Sequence, residues 1–464
     1  MRTASPHIVV LGAGFGGLTF CQNFNFPTAR ITLVDRQNHH LFQPLLYQVA
    51  TAGLSAPDIA QPVRSILSDR PNITVLMDHI VDIQLANKTV VLENCLFQEE
   101  LCADPERRSA DCRSAVSQVG NLRNSRLPIG ATGQSTAAGN TLTYDYLVLA
   151  LGAVTSYFGH PEWEQFAPGL KSLNDAIRIR RQVLLAFEKA ENASDPAERD
   201  RLMTLVVIGG GPTGLELAGA FAELAQTVLA GDFRRIDPRK ARVILIEAAP
   251  RVLGHFPPEL SASAEQQLRN LGVEVRTASP VKSIRQFCVE LEHETIRAEN
   301  IIWAAGVSAT PLTTKLEIEL DRAGRVKVNA DLSVPGHPEV FAIGDLALVV
   351  GKDGKPVPGV SPAAMQMAKH VAKIVSNELS WPGPKKPDRP AFEYWDKGTM
   401  ATIGRSAAVA EVGKLQLTGY PAWLAWLVIH LVFLVGFRNK VSVLLHWAYS
   451  YFTYKRGSRI ITGL

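Results

Sequence analysis

Two glycine-rich turns carry the residues with the clearest chemical meaning in this sequence. The stretch 205–219 reads LVVIGGGPTGLELAG, in which an apolar run leads into Gly209, Gly211 and Gly214 and then into a helical pattern. This is a G-x-G-x-x-G turn between a strand and a helix, whose glycines permit a tight turn and close approach to a pyrophosphate. The free N–H groups of the following helix are expected to bind the phosphates. The stretch therefore predicts a dinucleotide site.

The same spacing occurs a second time, near the start of the chain. Residues 8–17 read IVVLGAGFGG, which places Gly12, Gly14 and Gly17 at the three motif positions. One such turn indicates a nucleotide-binding protein. Two of them, about 200 residues apart, predict two dinucleotides and therefore electron transfer between them.

An acidic residue follows each turn at the end of the next strand. Asp35 lies about 20 positions after the first glycines, where a ribose hydroxyl is held, although a solvated aspartate at a strand end is the alternative. Glu247 follows the apolar run 243–246, and an extra turn over 230–240 accounts for its longer spacing. A carboxylate there binds the adenosine ribose of NAD and repels the 2′-phosphate of NADP. The nearby basic residue Arg251 would instead favour the 2′-phosphate of NADP.

The elements that position these residues alternate between strand and helix, so the sequence predicts an α/β fold. Further apolar strands end in glycine turns: TYDYLVLALG ends at Gly152, IIWAAGV contains Gly306, and VFAIGD ends at Gly344 and Asp345. Asp345 is interpreted as a cofactor contact, with a helix N-cap as the compatible alternative. A helix is predicted from Ser361 onward.

Composition limits the other possibilities. The 464 residues are enough for two or three domains, and 46% apolar residues with 20% charged residues is typical of a globular chain. A net charge of +4 gives no case for nucleic acid. Residues 94–140 have the composition of an insertion loop, and their cysteines (Cys95, Cys102 and Cys112) match no zinc spacing. We therefore predict no metal site, no disulfide framework and no secretory or transit peptide.

Taken together, these motifs resemble the two-dinucleotide-binding flavoprotein reductases. Within that group, the stretches FQPLLYQVATAGL, YDYLVLALGAVTSYFG and WLAWLVIHLVFLVGFRNK are similar to the type II NADH:quinone oxidoreductases. The resemblance implies two Rossmann-like domains, the second inserted into the first, and a C-terminal membrane-associating segment. It implies the domains 1–160 (FAD, first part), 161–305 (NADH), 306–379 (FAD, second part) and 380–464 (membrane association).

The resemblance also implies roles for single residues. FAD would be held by Gly12, Gly14, Gly17, Asp35, Gly152, Gly344 and Asp345, and NADH by Gly209, Gly211, Gly214, Glu247 and Gly306. Glu216 either complements the helix dipole or lies near the nicotinamide–flavin junction. Quinone would enter near the helix that starts at Pro362. The family pattern there, Ala-Gln-x-Ala-x-Gln, reads Met-Gln-Met-Ala-Lys-His here, so Gln366 is retained and His370 replaces the last glutamine as candidate catalytic residues. Lys397 resembles a family lysine near the flavin, with a solvated surface lysine as the alternative.

The segment 420–437, YPAWLAWLVIHLVFLVGF, is apolar and slightly short for a membrane span. A helix lying in the bilayer interface fits the length and the basic flank of this segment better than a membrane span does. The alternative is a helix buried in a dimer interface. The expected protein is a peripheral enzyme on the cytoplasmic face of the inner membrane, in contact with a quinone and the bilayer surface, and a homodimer. The alternatives are a sulfide:quinone oxidoreductase-like flavoprotein, which needs cysteines at the flavin, and a low-turnover flavin redox sensor.

Overall fold

The computed structural model describes residues 5–93, 140–352, 354–383, 385–453 and 457–461. Cys95, Cys102 and Cys112, with nearly all of the predicted insertion, lie outside the described residues. The chain forms two compact units. Unit 1 comprises 1–38, 63–152 and 310–394, and unit 2 comprises 39–62, 153–309 and 395–464.

The strands of the described residues are numbered in chain order. They are β1 His7–Leu11, β2 Arg30–Asp35, β3 His39–Leu41, β4 Ala60–Pro62, β5 Ile73–Met77, β6 Ile80–Gln84, β7 Thr89–Leu92, β8 Thr141–Thr143, β9 Tyr146–Leu149, β10 Ala153–Thr155, β11 Thr204–Ile208, β12 Arg242–Ile246 and β13 Val273–Arg276. The remainder are β14 Ser283–Arg285, β15 Cys288–Glu290, β16 Thr295–Arg297, β17 Asn300–Trp303, β18 Val307–Ala309, β19 Val326–Lys327, β20 Ser333–Val334, β21 His337–Ala342, β22 Ala347–Leu348, β23 Thr399–Gly404, β24 Ala407–Val412 and β25 Leu415–Thr418.

The α-helices are numbered in the same way. They are α1 Phe15–Asn23, α2 Leu46–Ala50, α3 Ala56–Ile59, α4 Val63–Ile66, α5 Leu173–Asn192, α6 Pro196–Leu202, α7 Pro212–Glu223, α8 Pro258–Asn270, α9 Ser361–Ser380, α10 Gly419–Phe433 and α11 Phe437–Thr453. A π-turn over Leu224–Val228 extends α7, and the short 3-10 turn Pro238–Lys240 lies in the stretch predicted as an extra turn before β12.

Unit 1 is organised around a six-stranded sheet in the order β20-β21-β9-β1-β2-β5. Strands β1, β2, β5, β9 and β21 are parallel, and β1 and β9 are buried at every residue, as expected for strands covered on both faces. The carboxyl ends of β1, β9 and β21 are therefore neighbours along one sheet edge. In such sheets ligands bind at that edge.

The stretch after α9, whose sequence WPGPKKPDRP suggests a linker, is held to unit 1 by charge. The Glu378 carboxylate is buried at the end of α9 and accepts hydrogen bonds from Tyr146 Oη (2.6 Å), Lys386 Nζ (2.8 Å) and Arg389 Nε (2.6 Å). Arg389 also pairs with Asp331 at 2.9 Å. Because removing one member would leave a buried charge unpaired, this network fixes the linker in place.

Unit 2 contains the second nucleotide-binding sheet, in the order β13-β12-β11-β17, with all four strands parallel. Helix α7 begins with Pro212, a residue suited to the first helical turn because it needs no backbone N–H there. Helix α5 begins at a capping box formed by Ser172 and Asp175, which satisfies the first N–H groups. The core beside this sheet includes Trp163, Trp303 and Tyr157.

The C-terminal part of unit 2 is an antiparallel sheet, β23-β24-β25, followed by α10 and α11. Helix α7 packs on β23 at very short range, since a Cβ added to Gly219 would lie 1.6 Å from the Ile403 carbonyl oxygen. Helix α11 is tied to α3 by Ser442 Oγ, which donates to Asp58 Oδ1 at 2.6 Å.

The segment 420–437 forms two elements and not the one helix that its apolar run suggests. Helix α10 ends at Phe433, where Leu434 turns to an extended conformation, and Gly436 adopts φ 86° before α11 begins at Phe437. Within the described ranges, none of the helices combines the length and apolar character needed to cross a membrane.

Candidate functional sites

The first glycine turn forms a cradle at the carboxyl end of β1 in unit 1. Gly12 has φ 101°, and an added Cβ would lie 2.4 Å from the Ala150 carbonyl oxygen. A Cβ on Gly17 would lie 1.8 Å from the Gly12 carbonyl oxygen, whereas Gly14 faces open space. The first and third glycines are therefore required by the protein's own backbone, and the second leaves room for a ligand.

Asp35 lies beside this cradle at the end of β2. Its carboxylate accepts hydrogen bonds from Ala13 N (2.6 Å) and Gln37 N (2.7 Å), which hold it next to the glycine turn. A carboxylate offers about four acceptor positions, so a ribose hydroxyl can still be bound. Gly152 (φ 66°) and Gly344 (φ 73°), followed by Asp345, end the neighbouring strand regions of β9 and β21. The edge thus fits FAD, and the open space at Gly14 would accommodate its pyrophosphate.

The second glycine turn repeats this arrangement in unit 2. A Cβ on Gly209 (φ 114°) would lie 2.6 Å from the Ala304 carbonyl carbon, and one on Gly214 would lie 1.8 Å from the Gly209 carbonyl oxygen. Gly211, the residue that precedes α7, again has nothing within 4 Å. The open N-terminus of α7 suits a pyrophosphate, because its N–H groups and dipole favour negative charge.

Glu247 is held beside this turn by backbone donors. It accepts hydrogen bonds from Gly210 N and from Ala249 N (2.7 Å). Arg251, which could have favoured a 2′-phosphate, donates instead to the carbonyl oxygens of Phe256 (2.9 Å) and Gly254 (2.7 Å). Glu247 therefore places an acidic residue beside the glycine turn, a feature that is typical of sites that bind NADH.

Glu216 lies in the second turn of α7 and lines a cavity of about 360 Å³ within unit 2. Burial raises the pKa of its carboxyl well above the ordinary value, although a hydrogen bond from the Thr402 backbone N–H acts in the opposite direction. A carboxyl with a raised pKa keeps its proton to a higher pH than an ordinary glutamate does, and a protonated carboxyl is able to donate its proton. This favours a chemical role over a simple complement to the helix dipole.

The rest of the cavity wall is mainly apolar and aromatic. Helices α2, α7, α10 and α11 and strand β23 contribute to it, including Tyr47, Thr51, Ile403, Trp423, Trp426, Leu427, Leu431, Leu444 and Trp447. Such a wall with a few polar groups is typical of a small-molecule site. An apolar small molecule fits this wall.

Gln48 and its partners are cavity residues that motif reading did not identify. Trp447 Nε1 donates to Gln48 Oε1 at 2.8 Å, and Gln48 Nε2 donates to Tyr47 Oη at 2.9 Å. The only signal in the sequence is that the segment 38–64 is too apolar for a loop and too rich in proline for one helix, which predicts that it covers a cofactor. His430, stacked on Trp426 at 4.1 Å, has its pKa lowered by burial to about 4 and is neutral near pH 7.

Lys397 lies at the surface of unit 2, outside the cavity wall. Its Nζ is 5.4 Å from the Trp395 ring centroid and 5.3 Å from that of Phe433, so it makes cation–π contacts with both rings. The structure does not bring it together with Glu216 in the cavity.

Gln366 and His370 lie one helical turn apart on α9 in unit 1, and both are partly buried. The imidazole of His370 makes a 3.0 Å hydrogen bond from Nε2 to the Pro390 carbonyl oxygen and contacts Phe392 edge-on. Burial lowers the pKa of His370. It is therefore a neutral hydrogen-bonding group, closer in behaviour to the glutamine it replaces than to an imidazolium proton donor.

The two cysteines among the described residues, Cys21 and Cys288, do not favour sulfur chemistry. Cys21 is buried in α1, and burial raises the pKa of its thiol to about 12, so it is not a nucleophile near neutral pH. Cys288 lies in β15, a short strand of a separate three-stranded sheet. Across the described ranges, no group of three or more His, Cys, Asp or Glu side chains could hold a metal ion.

Two family models match the chain. The pyridine nucleotide-disulphide oxidoreductase model matches residues 6–368, and the NDH2 C-terminal domain model matches residues 396–455. The NDH2 structure from Plasmodium falciparum in complex with NADH has a TM-score of 0.81 at 20% identity, covering 99% of this chain and all of that one. The sulfide:quinone oxidoreductase of Aquifex aeolicus has a TM-score of 0.66 at 17% identity. These likenesses show the fold.

The sequence relatives are more specific. The type II NADH:quinone oxidoreductase Ndh of Mycobacterium tuberculosis is 40% identical over 99% of this chain and 92% of its own length. The type II NADH:quinone oxidoreductase of Staphylococcus haemolyticus is 26% identical over 89% of this chain and 92% of its own length. Given this coverage and the two glycine cradles with their acidic partners, the chain belongs to the type II NADH:quinone oxidoreductases.

Proposed function

We propose that this NADH:quinone oxidoreductase binds NADH at the turn Gly209–Gly214 and a quinone in the Glu216 cavity. Gly12, Gly14, Gly17 and Asp35 would hold FAD, which would supply the redox chemistry that links NADH oxidation to quinone reduction, without proton pumping. The observation that carries the proposal is the position of the Glu216 carboxyl, whose pKa is raised by burial, in the wall of an apolar cavity. A steady-state assay with NADH, NADPH and two quinone types tests the reaction, and a protein that holds FAD but turns over neither quinone would contradict it.

In this proposal Glu216 supplies a proton to the quinone as it is reduced. Reduction of a quinone to a quinol consumes two protons, so a donor beside the cavity is needed. The Thr402 N–H hydrogen bond fixes the carboxyl against β23, and Gln48 offers further hydrogen-bonding atoms on the same wall. Gln366, His370 and Lys397 stay predictions for the quinone and flavin environment.

We expect the enzyme to prefer NADH over NADPH because of Glu247. Replacing the carboxylate with the neutral amide in Glu247→Gln removes its repulsion of a 2′-phosphate and should narrow the preference about tenfold. The ratio of kcat/KM for the two nucleotides measures the effect, with Glu259→Gln, in the first turn of α8, as a control. Equal use of both nucleotides by the unaltered enzyme would contradict the role of Glu247.

We further propose that α10 and α11 dock on the bilayer surface. Their inward residues, such as Trp426 and Val443, are buried, yet their outward faces are also apolar. The exposed large side chains on the two helices are Tyr420, Leu424, Val428, Ile429, Val432, Phe433, Phe437, Val441, Leu444, Leu445, Tyr449, Tyr451 and Phe452. An apolar face of this kind beside Arg438 and Lys440 fits an anionic lipid interface.

The exposed rings of Phe437 and Phe452 provide a test of this docking. Both lie on α11 and are 84% and 80% exposed, so replacing both with glutamate leaves the buried residues of that helix, such as Val443, unchanged. Each phenylalanine buried in the lipid contributes about 1.5–3 kcal/mol, so the double variant should bind liposomes at least about 100-fold more weakly. NADH oxidation by a small soluble acceptor should persist.

Val350→Glu, at a residue 61% exposed in unit 1, is the matched control and should bind liposomes normally. Unchanged sedimentation of the double variant with vesicles would refute this docking surface. The position on the cytoplasmic face and the homodimer stay proposals as well; protease access in inside-out vesicles and mass photometry test them.

A further inference from the structure

Phe158 combines two unusual properties for a bulky apolar residue. Its backbone has φ 51°, in the left-handed region, and its side chain is 68% exposed. That backbone conformation costs roughly 1–2 kcal/mol for a residue with a Cβ. Strained residues of this kind cluster at ligand-binding and active sites.

Hydrogen bonds and a ring contact connect the segment around Phe158 to the strand end at Trp303 and Gly306. Trp303 Nε1 donates to the Ser156 carbonyl oxygen at 2.8 Å, and Ser156 N donates to the Gly306 carbonyl oxygen at 3.3 Å. The Phe158 ring contacts the buried Trp303 ring edge-on, with 6.2 Å between centroids. It also covers Gly306, where an added Cβ would lie 2.5 Å from the ring. Gly306 thus provides the space in which the ring rests.

The location of this ring relative to the phosphate turn indicates which part of a bound dinucleotide would lie near it. In the sheet order β13-β12-β11-β17, Glu247 follows β12 on one side of β11, and Gly306 follows β17 on the other. The turn after β17 is in contact with the phosphate turn, since a Cβ on Gly209 would meet Ala304 and Ala305. A dinucleotide with its adenosine ribose at Glu247 and its pyrophosphate at α7 extends its nicotinamide toward the β17 side.

We propose that the Phe158 ring contacts the nicotinamide ring of bound NADH or NAD⁺ and acts as a positioning residue for it. The inference rests on the proposed placement of NADH at the turn Gly209–Gly214. A flat, exposed aromatic ring packed on the buried Trp303 suits a planar heterocycle, because ring pairs attract at centroid distances of about 4.5–7 Å.

The test compares two ligands that differ only in the nicotinamide. Binding of NAD⁺ and of ADP-ribose to the FAD-loaded protein is measured by isothermal titration calorimetry. Phe158→Ala should weaken NAD⁺ binding about 3- to 10-fold, the range expected for an aromatic contact, and leave ADP-ribose binding unchanged. Phe158→Tyr should restore NAD⁺ affinity. Unchanged NAD⁺ binding in Phe158→Ala, or equal weakening of both ligands, would overturn the inference.

Two further variants separate a ligand contact from a structural effect. Phe158→Gly removes the ring and relieves the left-handed backbone, so its melting temperature should not fall while NAD⁺ binding weakens. Phe287→Ala is the matched control, because Phe287 also has a left-handed φ of 59° and is 37% exposed, on the separate β14–β16 sheet. It should bind both ligands normally, and weaker NAD⁺ binding in it would count against a specific role of Phe158.

Failure of this inference is distinguishable from failure of the NADH placement. If NADH binds at the Gly209–Gly214 turn, Glu247→Gln weakens ADP-ribose and NAD⁺ together, whatever Phe158 does. If Glu247→Gln changes neither ligand, the placement is wrong, and the contact with Phe158 is rejected along with it.

Discussion

Replacing Gly214 with alanine should abolish productive NADH binding while the protein keeps its FAD. The added methyl carbon would lie 1.8 Å from the Gly209 carbonyl oxygen, a distance that no packing adjustment of side chains relieves. The backbone of the phosphate turn must move, and a displacement of about 1 Å at a binding site costs on the order of 100-fold. Overpacking also lowers the free energy of unfolding by about 1–3 kcal/mol.

Gly211→Ala is the informative partner of that variant. Gly211 has an ordinary extended backbone and nothing within 4 Å of an added Cβ, so the protein should fold with an unchanged melting temperature. Its methyl group occupies the space expected for the pyrophosphate, and NAD⁺ affinity should therefore still fall. Calorimetric titration and thermal melts separate the two effects. Normal NAD⁺ binding by Gly214→Ala would show that the nucleotide lies elsewhere.

Replacing Glu216 with glutamine should slow quinone reduction by about tenfold or more, because the variant loses an acidic proton donor. NADH oxidation with ferricyanide, which takes electrons without protons, should be little affected. Glu223→Gln is the matched control, since Glu223 lies on the same helix and lines the same cavity. Equal quinone rates in Glu216→Gln and the unaltered enzyme at all pH values would exclude a proton-donating role.

The same carboxyl predicts how stability depends on pH. The folded-state pKa of Glu216 is raised above the ordinary value of 4.5, so the folded protein binds the proton more tightly than the unfolded chain. The free energy of unfolding must therefore decrease as the pH rises from about 4.5 through the raised pKa. Glu216→Gln has no carboxyl to ionise at this position, so its free energy of unfolding lacks this decrease. The difference in melting temperature between the variant and the unaltered protein should therefore grow in favour of the variant as the pH rises through this range. A difference that does not change with pH would contradict the raised pKa.

The two cradles were predictable because all their determinants are local. Each motif places a strand, three glycines and a helix within about 15 residues, and the steric reasons for Gly12, Gly17, Gly209 and Gly214 follow from that spacing. The acids Asp35 and Glu247 follow from the next strand. For this part of the site, sequence and structure agree on the elements to within a few residues.

The cavity could not be predicted in the same way, because its wall joins distant parts of the chain. The hydrogen bond between Gln48 and Trp447 links positions 399 apart, and the Glu216 carboxyl owes its raised pKa to burial against β23. Neither a local pattern nor a spacing rule contains that information. Phe158 could not be predicted for a different reason. No sequence pattern marks a phenylalanine as a residue whose backbone is left-handed.

The contact at Gly219 has a consequence for the design of chimeric reductases. A glycine inside a helix is about 1 kcal/mol less favourable than alanine, so this residue weakens α7 in isolation. It is required because the Ile403 carbonyl oxygen of β23 occupies the position of its missing side chain. Anyone who transplants the C-terminal sheet of this enzyme onto another nucleotide-binding scaffold must therefore transplant the glycine too. A recipient helix with alanine there would repel the grafted sheet.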